Sequence, residues 1–126
     1  MGKPVMQWQI LAKDPERASA FYGALFGWTV DAGNALGYRT VSTAADRGIS
    51  GGIWPCPPEG HSMVTLYVEV DDVAAHVESC RNLGGSVVMG PQVLPDGDEM
   101  AIIIDPEGIP VGLFRPARRK GGSLNS

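Results

Sequence analysis

Two stretches of the chain alternate polar and apolar side chains in the manner of half-buried β-strands. In VMQWQIL the polar positions are Gln7 and Gln9, and in MVTLYVEV they are Thr65, Tyr67 and Glu69. Because successive side chains of a strand point to opposite faces, each set shares one face of its strand. Two amides, a hydroxyl, a phenol and a carboxylate form a hydrogen-bonding surface suited to a small polar or aromatic molecule. This surface is the first candidate for a functional site.

Residues of other predicted strands can add a stacking wall to this surface. The candidates are Tyr38, Thr40, Trp54 and Met100. The alternative is that Tyr38 and Trp54 are ordinary strand residues of a small core. Both interpretations stay open at the level of the sequence.

Glu69 is the side chain best suited to catalysis without a metal, as a general base. The competing interpretation is a solvated residue at the rim of a strand. The sequence has no Ser-His-Asp set, P-loop or GxGxxG motif that would indicate another chemistry. His61 falls in a predicted loop and His76 in the middle of a predicted helix, and a structural role is expected for each.

The elements that would position these residues begin with a strand and a helix. The strand covers Val5–Leu11, and Asp14 can then cap a helix that has Pro15 at its first position. Apolar residues recur at positions 18, 21, 22, 25 and 26, which is the spacing of a helix that buries one stripe. Gly27 can end this helix in a left-handed conformation. The predicted unit is therefore an amphipathic helix packed on a sheet.

The same layout returns in the second half of the chain. Strand Met63–Val70 is followed by Asp71, which lies 13 positions before Gly84, just as Asp14 lies 13 positions before Gly27. Three short strand-like segments follow each helix, so the sequence predicts a β-α-β-β-β unit used twice. Module one covers about residues 5–54, a proline-rich linker residues 55–61, and module two about residues 62–114.

The apolar residues that alternate with the polar ones are expected to pack beneath the helices. They are Met6, Trp8, Ile10, Val64, Leu66 and Val68. In the second helix the expected buried stripe is weaker and consists of Val73, Val77, Cys80 and Leu83.

Composition limits the kinds of partner. With 126 residues, 44% of them hydrophobic, the chain fits one domain over residues 1–114, and residues 115–126 form a basic tail that is expected to be solvated. A net charge of −4 argues against nucleic acid or an anionic membrane as a partner. Cys56 and Cys80 lack metal or redox spacing, and neither a leader nor a membrane span is found. Free thiols and a cytoplasmic location are therefore predicted.

Three sequence blocks together resemble one superfamily. KDPERASAFYGALFGW follows the first strand, VEVDDVAAHVESCRNLGG follows another, and DPEG precedes the last. This combination resembles the glyoxalase/bleomycin-resistance/extradiol-dioxygenase, or vicinal oxygen chelate, superfamily over about residues 5–114. The resemblance implies an α+β fold in which two βαβββ modules form a curled, cup-shaped mixed β-sheet with flanking helices. It also implies a homodimer.

In the metal-dependent members of this superfamily, four side chains project into the cup and hold a divalent ion. The resemblance assigns these positions to Gln7, Thr65, Gly52 and Gly112. A glycine offers no ligand, and one amide with one hydroxyl would bind zinc or nickel too weakly. We therefore predict neither a metal nor another cofactor. If the placement is shifted by one residue, Glu69 becomes the one nearby carboxylate.

The cup would then be a cleft for an organic ligand. Its predicted lining consists of Gln7, Gln9, Tyr38, Thr40, Gly52, Trp54, Thr65, Tyr67, Met100 and Gly112. The leading hypothesis is a metal-free small-molecule-binding protein, in the manner of the antibiotic-sequestering members. The enzyme alternative is a lyase, isomerase or dioxygenase with shifted metal ligands, or an acid/base enzyme that uses Glu69. A third possibility is a dimeric scaffold with a collapsed cup.

Overall fold

The structure, a computed structural model, describes residues 2–31, 39–56 and 59–117. In these residues two helices and eight strands follow one another along the chain. They are β1 (Val5–Ala12), α1 (Pro15–Phe26), β2 (Thr29–Asp31), β3 (Arg39–Ser42), β4 (Gly51–Pro55), β5 (Met63–Glu69), α2 (Val73–Asn82), β6 (Ser86–Val93), β7 (Glu99–Ile104) and β8 (Pro110–Arg115). The predicted α+β class with two βαβββ modules is confirmed.

The described residues divide into two compact units. The first unit is Met6–Leu66, and the second contains the remaining described residues, so the chain passes from one to the other within β5. In the first unit the strands are ordered β2-β3-β4-β1, and in the second they are ordered β5-β8-β7-β6. In each unit the first strand runs parallel to the last one, β1 to β4 and β5 to β8. The predicted single domain stays a prediction.

Helix α1 begins and ends where the sequence predicts. The Asp14 carboxylate accepts a hydrogen bond from the backbone N–H of Arg17 at 3.1 Å, and Pro15 occupies the first turn. Gly27 takes a φ of 73°, and its N–H donates to the carbonyl of Gly23 at 2.9 Å. Both ends therefore have the partners that a helix terminus requires.

The expectation that α1 buries its apolar stripe is wrong. No residue of α1 is fully buried, and Phe21 is 58% and Leu25 57% exposed. The reason lies in the small residues of the helix. Ala18 and Gly23 are among its half-buried positions, and a Cβ atom at Gly23 would lie 3.3 Å from the carbonyl of Trp28. The helix approaches its own unit through this side, which leaves part of a broad apolar stripe facing outward.

The expectation that every alternating apolar strand residue packs beneath a helix is also wrong. In the first unit Met6 is 46%, Val64 65% and Leu66 46% exposed. Helix α1 lies against β2 and β4. The buried apolar side chains of this unit are on β3 and β4, where Val41 is 1% and Ile53 0% exposed.

The second unit has a more conventional core. Val73 and Val77 of α2 pack with Val70, Ala101 and Leu113, and Val68, Val87 and Ile103 lie against this cluster. Burial of each such side chain contributes about 1.5–3 kcal/mol. The Asp72 carboxylate caps α2 by accepting from Ala75 N at 3.0 Å. Leu83, expected in the buried stripe, is 79% exposed because it lies at the C-cap, where the helix has already ended.

Two predicted segments fall partly outside the described residues. Pro55 is the last residue of β4, so the linker begins after it, and positions 57 and 58 lie outside. Of the basic tail, Arg115 ends β8 and pairs with Glu99 at 3.3 Å, and residues 118–126 lie outside.

In the part of the chain that the structure describes, neither helix has the length and apolar character needed to cross a bilayer.

Candidate functional site

In the first unit, the side chain of Gln9 lies over a glycine of the adjacent strand. Gln9 on β1 is opposite Gly52 on β4, and Gln9 is 2% exposed. A Cβ atom at position 52 would stand 2.9 Å from the backbone oxygen of Arg39, 2.9 Å from Gln9 Oε1 and 3.0 Å from Trp54 Nε1. These separations are at the limit of what atoms tolerate. Position 52 must therefore be glycine for β3 and these two side chains to keep their places.

The amide oxygen of Gln9 has no hydrogen-bond partner among residues 2–31, 39–56 and 59–117, although it is buried. A buried acceptor without a donor destabilises a folded protein by about 1–3 kcal/mol. Such a group is uncommon, and a bound molecule that carries a donor is one way to satisfy it. Gln9 is therefore the strongest single candidate for a ligand contact in this unit.

The other predicted residues of the first unit are arranged around this pair. Thr40 on β3 is also opposite Gly52, so Thr40, Gly52 and Gln9 form one row across three strands. Trp54 is two positions further along β4 and shares this face. Gln7, two positions before Gln9, is half-buried.

Of the two remaining site residues predicted near this row, the structure describes one. Thr65, on the part of β5 that belongs to the first unit, is 4% exposed. Tyr38 lies outside the described residues.

The second unit contains the same kind of pair. Tyr67 on β5 is opposite Gly112 on β8, and a Cβ atom at position 112 would stand 2.6–2.7 Å from three atoms of the phenol ring. Tyr67 is 5% exposed. This burial raises the pKa of the Tyr67 phenol to about 12. The phenol is therefore protonated at neutral pH, so it can donate a hydrogen bond and is not a base.

The next row of the second unit joins Glu69, Phe114 and Met100. Glu69 and Met100 are each opposite Phe114, on β5 and β7 respectively. The ring centroids of Tyr67 and Phe114 are 6.4 Å apart, and Met100 is 5% exposed. Predicted site residues Tyr67, Glu69, Met100 and Gly112 thus share one face, with Phe114 as an apolar neighbour that sequence reasoning did not include.

Glu69 also lines a cleft at the end of its strand. This cleft has a volume of about 520 Å³ and contains Lys3, Asp71 and Arg115 beside Glu69. Lys3 Nζ lies 3.8 Å from Asp71 Oδ1, an exposed pair that contributes little stability. Two basic and two acidic side chains give the cleft no dominant charge. Glu69, the last residue of β5, is half-buried and forms part of the wall of this cleft.

The residues at the superfamily's metal positions do not fit a divalent cation. At Gly52 and Gly112 the space that a carboxylate side chain would enter is filled by Gln9 and by Tyr67. No cluster of three or more His, Cys, Asp or Glu residues suitable for a metal occurs in the described ranges. Of the two histidines, His76 has Nδ1 2.9 Å from the carbonyl of Asp72, and His61 is exposed in a loop. Zinc or nickel would need three or four imidazole, thiolate or carboxylate donors.

Sequence reasoning missed the cross-strand pairs. Alternation identified the polar faces, and the resemblance assigned Gln7 and Thr65 to metal-ligand positions, but neither indicated that Gln9 and Tyr67 are the residues opposite the two glycines. The available signal was the glycine itself, because a glycine within a strand often marks the close approach of another group. Gly51 follows the same rule on the other face, where a Cβ atom would stand 2.5 Å from the Trp8 ring.

Two βαβββ units, in each of which the first strand runs parallel to the last, are the architecture of a glyoxalase-like protein. The family model of the Glyoxalase-like domain matches residues 7–114, and the chain belongs to this family.

Among curated proteins, the chain is 34% identical over 118 residues to the proteins named "Putative glyoxylase CFP32" of Mycobacterium bovis and Mycobacterium tuberculosis. The match covers 88% of this chain and 45% of each relative, so the chain spans about half the length of the curated relatives it matches.

Solved structures with this fold are more distant in sequence. An NAD-dependent benzaldehyde dehydrogenase structure from Legionella pneumophila superposes with a TM-score of 0.64 at 16% identity, covering 86% of this chain and 96% of that one. Methylmalonyl-CoA epimerase from Mycobacterium tuberculosis gives a TM-score of 0.61 at 16% identity, covering 90% of this chain and 87% of that one. At these identities the likeness shows the fold alone. Together with the family match, it confirms the vicinal oxygen chelate resemblance.

Proposed function

We propose that this chain is a small-molecule-binding, glyoxalase-like protein that works without the superfamily's divalent metal. The observation that carries the proposal is the pairing of each glycine with a large side chain. Gly52 and Gly112 stand where the superfamily uses carboxylates, and the space beside them is taken by Gln9 and Tyr67. Both side chains donate and accept hydrogen bonds, which suits an organic ligand better than a cation.

The oxygen of Gln9, for which the described residues provide no hydrogen-bond partner, defines the ligand chemistry further. A molecule that presents an N–H or O–H group would satisfy this acceptor and recover part of the free energy of its burial. Trp54, on the same face, supplies an aromatic surface against which a planar ligand can stack. The ligand class is therefore a small, planar or aromatic molecule with a hydrogen-bond donor, and the antibiotic-sequestering members of the superfamily are the functional analogy.

The metal part of the proposal is tested by elemental analysis of purified protein after dialysis against a chelator. The expected result is less than stoichiometric zinc, nickel, manganese and iron. A divalent ion that remains at one equivalent per chain would overturn it.

The binding part is tested by thermal unfolding across a panel of aromatic metabolites and antibiotics, in the presence of the chelator. A ligand that binds the folded state raises the melting temperature as its concentration increases. Gln9→Met removes the acceptor and is expected to abolish the rise, whereas Gln92→Met, an exposed glutamine on β6, serves as the matched control. A ligand that stabilises wild type and Gln9→Met equally would show that Gln9 is not the contact.

An enzyme remains the second candidate, and the 520 Å³ cleft beside Glu69 is the observation that favours it. In that case Glu69 would act as a general base on a substrate with an acidic C–H bond, which is a proton-transfer role that needs no metal. Exchange of substrate protons with deuterated solvent would detect it, and loss of the exchange in Glu69→Gln with retained binding would assign the base. If no ligand that binds exchanges its protons with the solvent, the enzyme hypothesis is rejected and the binding-protein hypothesis stands.

We further propose that the protein assembles as a homodimer, as the superfamily commonly does. An apolar outer surface on the first unit supports this assembly.

A further inference from the structure

The register of the first unit places four residues of four adjacent strands in one row. Asp31 of β2 is opposite Thr40 of β3. Thr40 and Gln9 of β1 are in turn opposite Gly52 of β4. Residues directly opposite each other on paired strands have their side chains on the same face of the sheet. Asp31 therefore belongs to the polar face that carries Gln9, at the other end of the row.

The row runs from a buried end to an exposed end. Gln9 is 2% exposed, and its amide oxygen is buried without a hydrogen-bond partner among the described residues. Thr40 and Asp31 are exposed. The Gln9 oxygen stands over Gly52, and strands of a sheet are about 4.8 Å apart, so roughly 10 Å separate Gly52 from Asp31. A ligand that follows the row can thus contact the amide with one end and the carboxylate with the other.

This face of the first unit carries a negative charge and no positive one. Its described strand positions include one carboxylate, that of Asp31, and neither lysine nor arginine. Arg39 of β3 is opposite Ile53, which puts Arg39 on the other face. A carboxylate offers about four lone-pair sites, so Asp31 can accept from a ligand in addition to its contacts within the chain. An ammonium group at this end of the row meets no competing cation from the same face.

We infer that Asp31 determines the class of ligand that this face binds, and that the class is a small amine cation with a hydrogen-bond donor at its opposite end. The ammonium group pairs with Asp31 and the donor satisfies the oxygen of Gln9. An aromatic body between the two groups stacks on Trp54. The Gln9 amide is shielded from water, so a rotation of this flexible side chain lets the donor reach it. The inference rests on the proposed small-molecule function and gives its ligand a charge and a length.

A neutral ligand is the competing occupant, because an exposed carboxylate at the edge of a sheet also exists as a merely solvated group. Surface ion pairs contribute little when two flexible side chains must be ordered to form them. A ligand that is already anchored at the Gln9 oxygen loses less freedom when its second end pairs with Asp31. The fixed register of the row therefore favours the amine.

The test is an NMR titration of the full chain, in the presence of a chelator, with three probes of similar shape. Tyramine has a phenol O–H at one end and an ammonium group at the other. Tyrosol replaces the ammonium group with a neutral hydroxyl, and phenethylamine lacks the phenol oxygen. Tyramine is expected to bind about tenfold more tightly than either of the others, because each of them lacks one of its two anchoring contacts.

Substitutions connect these preferences to residues. In Asp31→Asn the dissociation constant of tyramine is expected to rise about tenfold and that of tyrosol to change less than about twofold, whereas Asp31→Glu keeps the charge and most of the preference. Gln9→Met is expected to remove the preference for tyramine over phenethylamine and to keep the preference over tyrosol. Asp46→Asn, at an exposed aspartate between β3 and β4, is the matched control for the loss of one negative charge. Dispersed amide signals verify that each variant is folded, and the comparison of probes on wild type needs no variant.

Two kinds of outcome are distinguishable. Tyramine that binds to wild type no more tightly than tyrosol or phenethylamine would overturn the inference. A preference over tyrosol that survives Asp31→Asn, or that falls equally in Asp46→Asn, would also overturn it. In each of these cases small-molecule binding itself would stand. Failure of all three probes to bind at tens of millimolar would instead contradict the small-molecule function proposed for this face, and the inference with it.

Discussion

Tyr67 lies over Gly112 so closely that a Cβ atom at position 112 would stand 2.6 Å from its ring. The relationship is repeated between Gln9 and Gly52, with the same pairing of the first strand to the last strand of its unit. In both units the glycine thus leaves the space that the neighbouring side chain occupies.

Gly112→Ala is expected to lower the free energy of unfolding by about 1–3 kcal/mol, because the added methyl group overpacks a site filled by a buried ring. In a Tyr67→Val background, which removes the ring atoms that would clash, the same substitution is expected to cost less than about 0.5 kcal/mol. Urea unfolding of the four proteins measures the coupling. Gly2→Ala is the control, since nothing lies within 4 Å of a Cβ atom there. An equal cost in both backgrounds would mean that the ring is not the obstacle.

The stability of the protein is expected to fall between about pH 10 and pH 12 through Tyr67. Its pKa is near 10 in an unfolded chain and is raised to about 12 by burial in the folded protein. As the pH rises through this window, the unfolded state loses its phenol proton first, so unfolding becomes more favourable. The contribution is fully present below pH 10 and amounts to about 2–3 kcal/mol, the equivalent of a shift of about two pKa units.

Tyr67→Phe isolates this effect because it keeps the ring and removes the titrating group. Denaturant unfolding of wild type and variant is compared from neutral pH to pH 12. The other titrating groups are the same in both proteins and cancel in the difference between their free energies of unfolding. This difference should therefore decline across the window. A constant difference between the two proteins would show that the phenol ionises equally easily in both states.

Gln9→Met is expected to stabilise the ligand-free protein by about 1 kcal/mol or more. The substitution keeps a long side chain and removes a buried oxygen that has no partner in the described part of the chain, and relief of an unsatisfied group is worth about 1–3 kcal/mol. Thermal and urea unfolding report the change, and Gln92→Met, on an exposed position, should be nearly neutral. If Gln9→Met destabilises the free protein, its amide makes a contact that contributes to the fold.

The sequence allowed the elements to be predicted more accurately than their packing. Asp14, Pro15 and Gly27 act locally, within one turn of helix α1, so their roles could be deduced from type and spacing. Alternation likewise assigned Gln9 and Tyr67 to the polar faces. The register between strands depends on residues more than 40 positions apart, which is why the pairing of Gln9 with Gly52 could not be deduced from the alternation pattern.

The exposure of Phe21 and Leu25 could not be deduced from the sequence for a different reason. An apolar stripe indicates which side chains avoid water, but it does not distinguish burial within one chain from burial against a second one. The small residues Ala18 and Gly23 decide which side of α1 approaches the sheet. Only the packed structure shows that this leaves Phe21 outside.

The free-energy cost of truncating an apolar side chain is expected to depend on protein concentration only where that side chain is covered by a second copy. Val77→Ala removes a side chain that is 2% exposed in the core of the second unit, and it should cost about 2 kcal/mol at every concentration. Leu25→Ala removes one that is 57% exposed within its own chain. It should cost less than about 0.5 kcal/mol where the protein is monomeric. Its cost should increase once the concentration exceeds the dimer dissociation constant, because association stabilises the folded state by mass action. Urea unfolding over a wide range of protein concentrations separates the two cases, and a cost of Leu25→Ala that is large at the lowest concentration would place its contacts within a single chain.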